Sequence, residues 1–208
     1  MSEMIERRVP GARTNVETVV VNSRFVTTVI PVSSVDDAKA ELRAIRLQMP
    51  DANHHVYAYR IGHANSVIDG MSDDGEPSGT SGPPVLAVLR GSGLGDILIV
   101  VTRYFGGTKL GTGGLVRAYS EAARAGLEAV PVRLKIARTL LGIELPYPLF
   151  EQAKRIIDAH EGVIEDQQFT EIVTLMVRFK SSLTPNVCAA LTELSAGRVT
   201  PVVLEETT

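Results

Sequence analysis

Residues 72–119 read SDDGEPSGTSGPPVLAVLRGSGLGDILIVVTRYFGGTKLGTGGLVRAY, and this stretch decides the fold. Of the 18 glycines in the chain, 12 lie between Gly70 and Gly114, in loops that bracket one apolar run, Ile97 to Thr102. Glycine is favoured where the backbone needs a positive φ or where another group approaches it closely. A short apolar run between such turns indicates a buried strand. We therefore expect a central strand with a glycine-rich loop on each side of it.

The two loops carry opposite charges. The acidic loop, residues 69–81, contains Asp69, Asp73, Asp74 and Glu76 among serines, threonine and glycines. The glycine loop, residues 106–114, reads GGTKLGTGG and is flanked by Arg103 and Arg117. Opposite charges on two glycine-rich loops beside one strand predict a binding cleft.

The glycine loop fits neither common nucleotide-binding motif. A P-loop has lysine directly after its last glycine, where Thr112 follows Gly111, and the dinucleotide fingerprint needs a third glycine where Val116 stands. Backbone N–H groups at a helix start still favour anions, so the loop is a candidate phosphate cradle. The alternative is a tight strand-to-helix turn without a ligand. The candidate anion- or nucleic-acid-binding residues are Arg103, Tyr104, Gly106, Gly107, Lys109, Gly111, Gly113, Gly114, Arg117 and Tyr119, with the tyrosines available for base stacking.

The acidic side of the cleft has two interpretations as well. Its carboxylates could ligate Mg²⁺, but no spacing fixes an octahedral site, so we expect no metal. We favour carboxylates that cap turns or pair with Arg103 and Lys109 across the cleft. His55 is the candidate acid or base because imidazole titrates near neutrality, although a hydrogen-bonded structural histidine is the alternative. The residues assigned to this side are His55, Asp73, Asp74, Glu76, Ser78 and Thr80.

The rest of the chain predicts an α+β protein of two domains. Residues 1–16 are expected to form a flexible lead, and residues 17–132 the domain that carries the site. Within it, Asn22-Ser23 predicts a turn, Ser34 a helix start, and residues 55–61 a strand. Residues 137–208 show the order β-α-β-β-α-β, which is typical of a ferredoxin-like domain.

Composition limits the function classes. Hydrophobic residues make up 44% of the 208 and charged residues 22%, and the net charge is −3. Neither half is strongly basic, so any nucleic-acid binding must come from a local patch. The chain has no apolar run long enough for a membrane span, and its single cysteine, Cys188, reads as a core or near-core thiol. We expect a cytoplasmic protein without cofactor or membrane partner; the oligomeric state is left open.

The motifs resemble the signature of the IMPACT family, in its bacterial YigZ branch. The likeness rests on HHVYAYRIG (residues 54–62), SDDGEPSGTSGPP and VVTRYFGGTKLGTGGLVRAY, in that order, and spans Val19 to about Val130. Ser81 and Thr108 depart slightly from the pattern. The resemblance implies a fold with a left-handed β-α-β crossover, shared with a ribosomal small-subunit protein domain and a domain of the translocating elongation factor. It likens the C-terminal domain to the last domain of that factor.

Three functions follow. The resemblance implies a non-catalytic, translation-linked factor that binds RNA, the ribosome or a regulatory protein, because eukaryotic relatives restrain a stress-activated translation-initiation kinase. A small nucleotide- or phosphate-binding enzyme is the first alternative, although the chain lacks the usual catalytic constellations. A protein–protein adaptor without an anion site is the second.

Overall fold

The structure, a computed structural model, describes residues 7–63 and 66–207. It divides into two compact units, Met1–Leu134 and Lys135–Thr208, and each combines one main sheet with helices. The α+β class is therefore confirmed. Within the described ranges, every helix is too short or too polar to cross a bilayer.

The first unit is built on a five-stranded sheet. Its elements are β1 (Arg7–Pro10), β2 (Thr14–Val20), β3 (Ser23–Pro31), α1 (Val35–Gln48), β4 (His54–His63), β5 (Ser66–Ser72), α2 (Gly82–Gly91), β6 (Ile97–Tyr104), α3 (Gly111–Ala129) and β7 (Val132–Lys135). The strand order is β2-β3-β6-β4-β5. Strands β3 and β4 both run antiparallel to β6, so they are parallel to each other and α1 forms a β-α-β crossover between them.

The predicted central strand is confirmed as β6. It is buried from Ile97 to Arg103 because both faces of the sheet are covered. Ile97, Ile99 and Val101 pack into the core with α2 and α3, whereas Leu98 and Val100 pack into the core with α1. A strand covered on both faces has a continuous apolar sequence rather than an alternating one.

The expected flexible lead is wrong for residues 7–16. Arg7–Pro10 forms β1, which pairs with β7, and Thr14 begins β2; residues 1–6 lie outside the described residues. Pro10 is compatible with a strand because it is the last residue of β1, a strand of a two-stranded ribbon. The following Gly11 N–H donates to the Pro131 carbonyl at 2.6 Å, which links the segment between β1 and β2 to the residue before β7.

The local sequence predicted the start of α1 correctly, but it predicted the first hairpin turn one residue too late. The Ser34 side chain accepts from the Asp37 N–H at 3.0 Å and caps α1, as predicted. The hairpin turn is Val21-Asn22 rather than Asn22-Ser23. Val21 and Asn22 have φ of 44° and 65°, the pair of positive angles that matches a two-residue hairpin to strand twist.

The second unit has the predicted ferredoxin-like order. Its elements are β8 (Arg138–Leu145), α4 (Phe150–Ala159), β9 (Val163–Phe169), β10 (Val173–Lys180), α5 (Thr184–Leu194) and β11 (Val202–Thr207). The sheet order β11-β8-β10-β9 places the first and third strands in the centre. Both helices contribute to one core with these strands, and Cys188 packs against its edge. Burial raises the pKa of the Cys188 thiol, which fits a packed thiol rather than a nucleophile.

Candidate functional site

Asp73 closes the acidic loop onto the start of α2. Its Oδ1 accepts from the N–H groups of Ser81 at 3.0 Å and Gly82 at 2.8 Å, and its Oδ2 accepts from Gly79 at 2.9 Å. Ser81 makes no side-chain capping bond of its own, so Asp73 satisfies the first donors of the helix. Burial works to raise the pKa of Asp73, but the three N–H groups together hold it below the ordinary value of 3.8.

Replacing Asp73 with asparagine should destabilise the protein by about 1 kcal/mol, because the charge-assisted hydrogen bonds from three backbone N–H groups are replaced by weaker neutral ones. The effect should depend on pH. Because the folded-state pKa is depressed, the carboxylate stabilises the fold above its unfolded-state pKa and loses this contribution as the pH falls through the folded value. Urea unfolding of both proteins should show a constant difference near pH 7 that shrinks below about pH 4. A difference unchanged by acid would show that the charge of Asp73 does not contribute.

Asp74 joins the acidic loop to α1 and β4. One carboxylate oxygen accepts from Arg46 Nη2 at 2.5 Å and the other from the His55 backbone N–H at 2.6 Å. Its carbonyl oxygen lies 2.9 Å from His54 Nδ1. The predicted partners across the cleft, Arg103 and Lys109, are therefore wrong for this residue, because α1 supplies the cation instead.

Glu76 anchors the loop in the core. Its Oε1 accepts from Arg103 Nη1 at 2.6 Å and from the Tyr119 hydroxyl at 2.8 Å. The guanidinium also donates from Nη2 to Ser23 Oγ at 3.2 Å. Glu76 is 8% exposed, Arg103 4% and Tyr119 0%, so this is a buried ion pair. Burial, together with the charge of Glu76, raises the pKa of Tyr119 far above its ordinary range.

This geometry shows that two residues, Arg103 and Tyr119, were wrongly assigned to the anion site. Arg103 is enclosed and paired with Glu76, so its charge does not face a ligand. Tyr119 has no exposed ring for a base to stack on. Both belong to the scaffold that holds the acidic loop against β6 and α3.

His55 is not placed as an acid or base. It is buried, and its Nδ1 lies 3.1 Å from Thr102 Oγ1. Burial lowers its pKa, which favours a neutral structural imidazole. The more accessible imidazole is His54, whose Nε2 lies 3.8 Å from Glu76 Oε1. Strand alternation could have shown that His54 differs from His55, because His54 lies on the same side of the sheet as Val56 and Ala58, which pack with α2 and α3. In the structure His54 pairs in register with Arg103 on that side.

The remaining acidic-loop residues serve the fold in different ways. Asp69 lies in β5 rather than in a loop, and it pairs with Arg60 at 3.3 Å and Arg90 at 2.8 Å. Thr80 is buried and donates from Oγ1 to the Pro77 carbonyl at 2.6 Å, while Ser78 is exposed. In the described part of the chain, no group of three or more His, Cys, Asp or Glu side chains could hold a metal ion.

The cations of the glycine loop point outward. Lys109 and Arg117 are exposed, and within the described ranges neither takes part in an ion pair. Helix α3 begins at Gly111, and the preceding Leu110 provides no side-chain cap for its first N–H groups. Tyr104 is half-buried, with the Arg24 guanidinium 4.2 Å from its ring centroid. The site therefore combines two exposed cations with an uncapped helix start and is not a cleft between opposite charges.

The loop glycines serve two different purposes. A Cβ on Gly106 would lie 2.0 Å from the Asn22 carbonyl oxygen, and Gly107 and Gly111 have φ of 84° and 71°. These three are required by the path of the backbone. Gly113 has neither a positive φ nor any atom within 4 Å of a built Cβ, and Gly114 would meet only Leu110 Cβ at 3.1 Å. The fold itself gives no reason for glycine at Gly113.

Comparison with known proteins covers both units. The profile of the Impact N-terminal domain matches residues 21–127, and a domain of unknown function, DUF1949, matches residues 143–198. A Haemophilus influenzae IMPACT family member is 35% identical over 203 residues, which are 97% of this chain and 98% of that protein. Escherichia coli IMPACT family member YigZ is 34% identical, over 95% of this chain and 98% of its own.

A solved structure has the same fold over nearly the whole chain. The crystal structure of a hypothetical protein, 34% identical in sequence, superposes with a TM-score of 0.70 and covers 96% of this chain and 98% of its own. The resemblance seen in the motifs between Val19 and Val130 is thereby confirmed, and it extends into the second unit. The chain belongs to the IMPACT family.

Proposed function

We propose that this protein is a non-catalytic, translation-linked regulator of the cytoplasm that binds RNA through the glycine loop. One observation carries the proposal. The carboxylates of Asp73, Asp74 and Glu76 in the neighbouring loop are occupied by hydrogen bonds or ion pairs within the fold, while Lys109 and Arg117 remain exposed and without an ion pair in the described part of the chain. Two cations therefore remain accessible beside the start of α3, although the whole chain has a net charge of −3.

The loop offers phosphate two kinds of contact. The first N–H groups of α3 have no side-chain cap and lie at the positive end of the helix dipole. Lys109 precedes this helix start by two residues, and Arg117 follows Gly111 by six, so both cations flank it along the chain. Backbone amides with nearby cations bind phosphate without reading sequence, so we expect affinity for the RNA backbone rather than for one base order.

The enzyme alternative has less support. His55, its acid or base candidate, is buried against Thr102 and has a lowered pKa. Asp73, Asp74 and Glu76 are each occupied by bonds that hold the loop. Side chains that are already hydrogen-bonded within the fold in this way are poorly placed to exchange protons with a substrate.

The link to translation is part of the proposal and rests on family membership. The protein belongs to the IMPACT family, and the resemblance implies for eukaryotic members a role in restraining a translation-initiation kinase. Among the partners expected from the sequence, we propose RNA, free or ribosomal, because exposed cations can neutralise its backbone phosphates.

Alanine substitution of Lys109 and Arg117 tests the proposal. Each change should weaken RNA binding for all sequences alike and lower the slope of log affinity against log salt by about one for every phosphate that is no longer neutralised. Filter binding across a salt series measures both quantities. Arg43→Ala is the matched control, because Arg43 is an exposed arginine on α1, which packs on the opposite face of the sheet. If the loop variants and the control bind every RNA alike, the loop is not an RNA site and the adaptor interpretation replaces it.

A further inference from the structure

Phe105 is a large aromatic side chain left exposed at the entrance of the glycine loop. It follows the last residue of β6 and is 46% exposed. It contributes to none of the core clusters of the described residues. Exposed single hydrophobic residues are common, so exposure alone does not identify a function. The surroundings of this ring do.

The backbone on both sides of Phe105 is fixed. Its own N–H donates to Asn53 Oδ1 at 2.7 Å, and the next N–H, that of Gly106, donates to Ser23 Oγ at 3.3 Å. Gly106 also lies so close to the Asn22 carbonyl that the chain cannot move toward it. The ring is therefore presented at the end of a strand whose backbone is held by hydrogen bonds on both sides of it.

The ring is also supported from within the protein. The Arg103 guanidinium carbon lies 5.6 Å from its centroid, within the range of a cation–π contact. That guanidinium is itself held by Glu76 and Ser23. A buried cation beneath an exposed ring keeps the ring in place and leaves its other surface to solvent.

The other aromatic residues near the loop do not offer such a surface. Tyr119 is buried with its hydroxyl on Glu76, and Tyr104 is half-buried with the Arg24 guanidinium against its ring, whereas Phe105 is 46% exposed. The tyrosines predicted for stacking are thus replaced by Phe105. Three residues separate Phe105 from Lys109, so an aromatic ring and a cation lie in one segment.

We propose that Phe105 is a stacking platform for an unpaired base, so that the ligand of this face is single-stranded RNA. This inference rests on the proposed function and narrows its ligand. Base faces are free only in single strands, whereas a duplex presents groove edges and backbone. An aromatic ring beside phosphate-binding cations is the combination used for sequence-tolerant binding of single strands.

A tryptophan at this position makes the test direct, since the chain contains no tryptophan. In Phe105→Trp the indole is the only such fluorophore, and a stacked base should quench it. Single-stranded oligouridine and oligoadenosine should quench its emission on binding, and a blunt RNA duplex of equal length should not. Phe105→Leu should lower affinity for the single strands by roughly 5- to 150-fold, the range for loss of one stacked base. Phe105→Tyr, which keeps the ring, should retain affinity.

Phe169→Leu is the matched control, because Phe169 is 50% exposed in the second unit and should not affect RNA binding. Thermal melting of each variant establishes that it is folded before affinities are compared. If single strands and duplex bind the parent equally and Phe105→Leu changes neither, the stacking inference is overturned while the proposed function stands. If neither RNA binds the parent, the proposed function itself fails. An equal loss for both RNAs in a folded Phe105→Leu variant also overturns stacking.

Discussion

Glu76→Ala is expected to destabilise the first unit by about 3–5 kcal/mol, the cost of removing one partner from a buried ion pair. Glu76 and Arg103 are 8% and 4% exposed and meet at 2.6 Å. Without the carboxylate, the arginine retains its charge in a site that water hardly reaches, and the Tyr119 hydroxyl loses its acceptor. Both consequences act in the same direction.

Urea unfolding followed by circular dichroism measures this loss. Glu121→Ala is the control, because Glu121 is an exposed residue of α3, where a substitution should change stability by less than about 0.5 kcal/mol. The double variant Glu76→Ala, Arg103→Met should recover part of the loss, since no unpaired charge is then buried. If Glu76→Ala costs no more than the control, the pair does not hold the acidic loop, and the inward-facing arrangement proposed for its carboxylates is wrong.

Elements with a clear hydrophobic pattern and a buried face could be predicted from the sequence, whereas short or polar strands could not. The run from Ile97 to Thr102 and the order of the second unit followed from local patterns. Strands β1 and β7 have four residues each and exist because they pair with each other, which no local pattern reveals. Strand β5 contains serine, aspartate and glycine, and those residue types predict a loop.

The sequence located the candidate site, but it did not show which charged side chains face solvent and which face the core. Composition does not distinguish a cation that faces solvent from one that faces the core. Alternation along β6 does, because Arg103 continues the side of Ile99 and Val101, which packs under α2 and α3. Tyr119 likewise lies on the buried stripe of α3 with Ala118 and Ala122. Long-range contacts, such as that of Arg46 with Asp74, required the structure.

Gly106→Ala is expected to cost about 1–3 kcal/mol, the usual cost of overpacking. The new Cβ would lie 2.0 Å from the Asn22 carbonyl oxygen and 2.6 Å from the Ser23 nitrogen, and these are backbone atoms that cannot rotate away. The loop and the β2–β3 hairpin would have to separate, and the bond from the Gly106 N–H to Ser23 would weaken. Urea midpoints of the parent and the variant measure the loss. An unchanged midpoint would contradict the close approach of the two backbones.

Gly113→Ala is the matched control, and its effect should have the opposite sign. Gly113 lies in the first turn of α3 with open space around a built Cβ, so alanine should stabilise the protein by about 0.4–1 kcal/mol by restricting the unfolded chain. The same methyl group would project from the turn whose N–H groups we propose to contact phosphate. A variant that is more stable yet binds RNA less tightly would show that this glycine serves the ligand rather than the fold. A variant that gains stability and keeps its affinity would place the phosphate contacts on Lys109 and Arg117 alone.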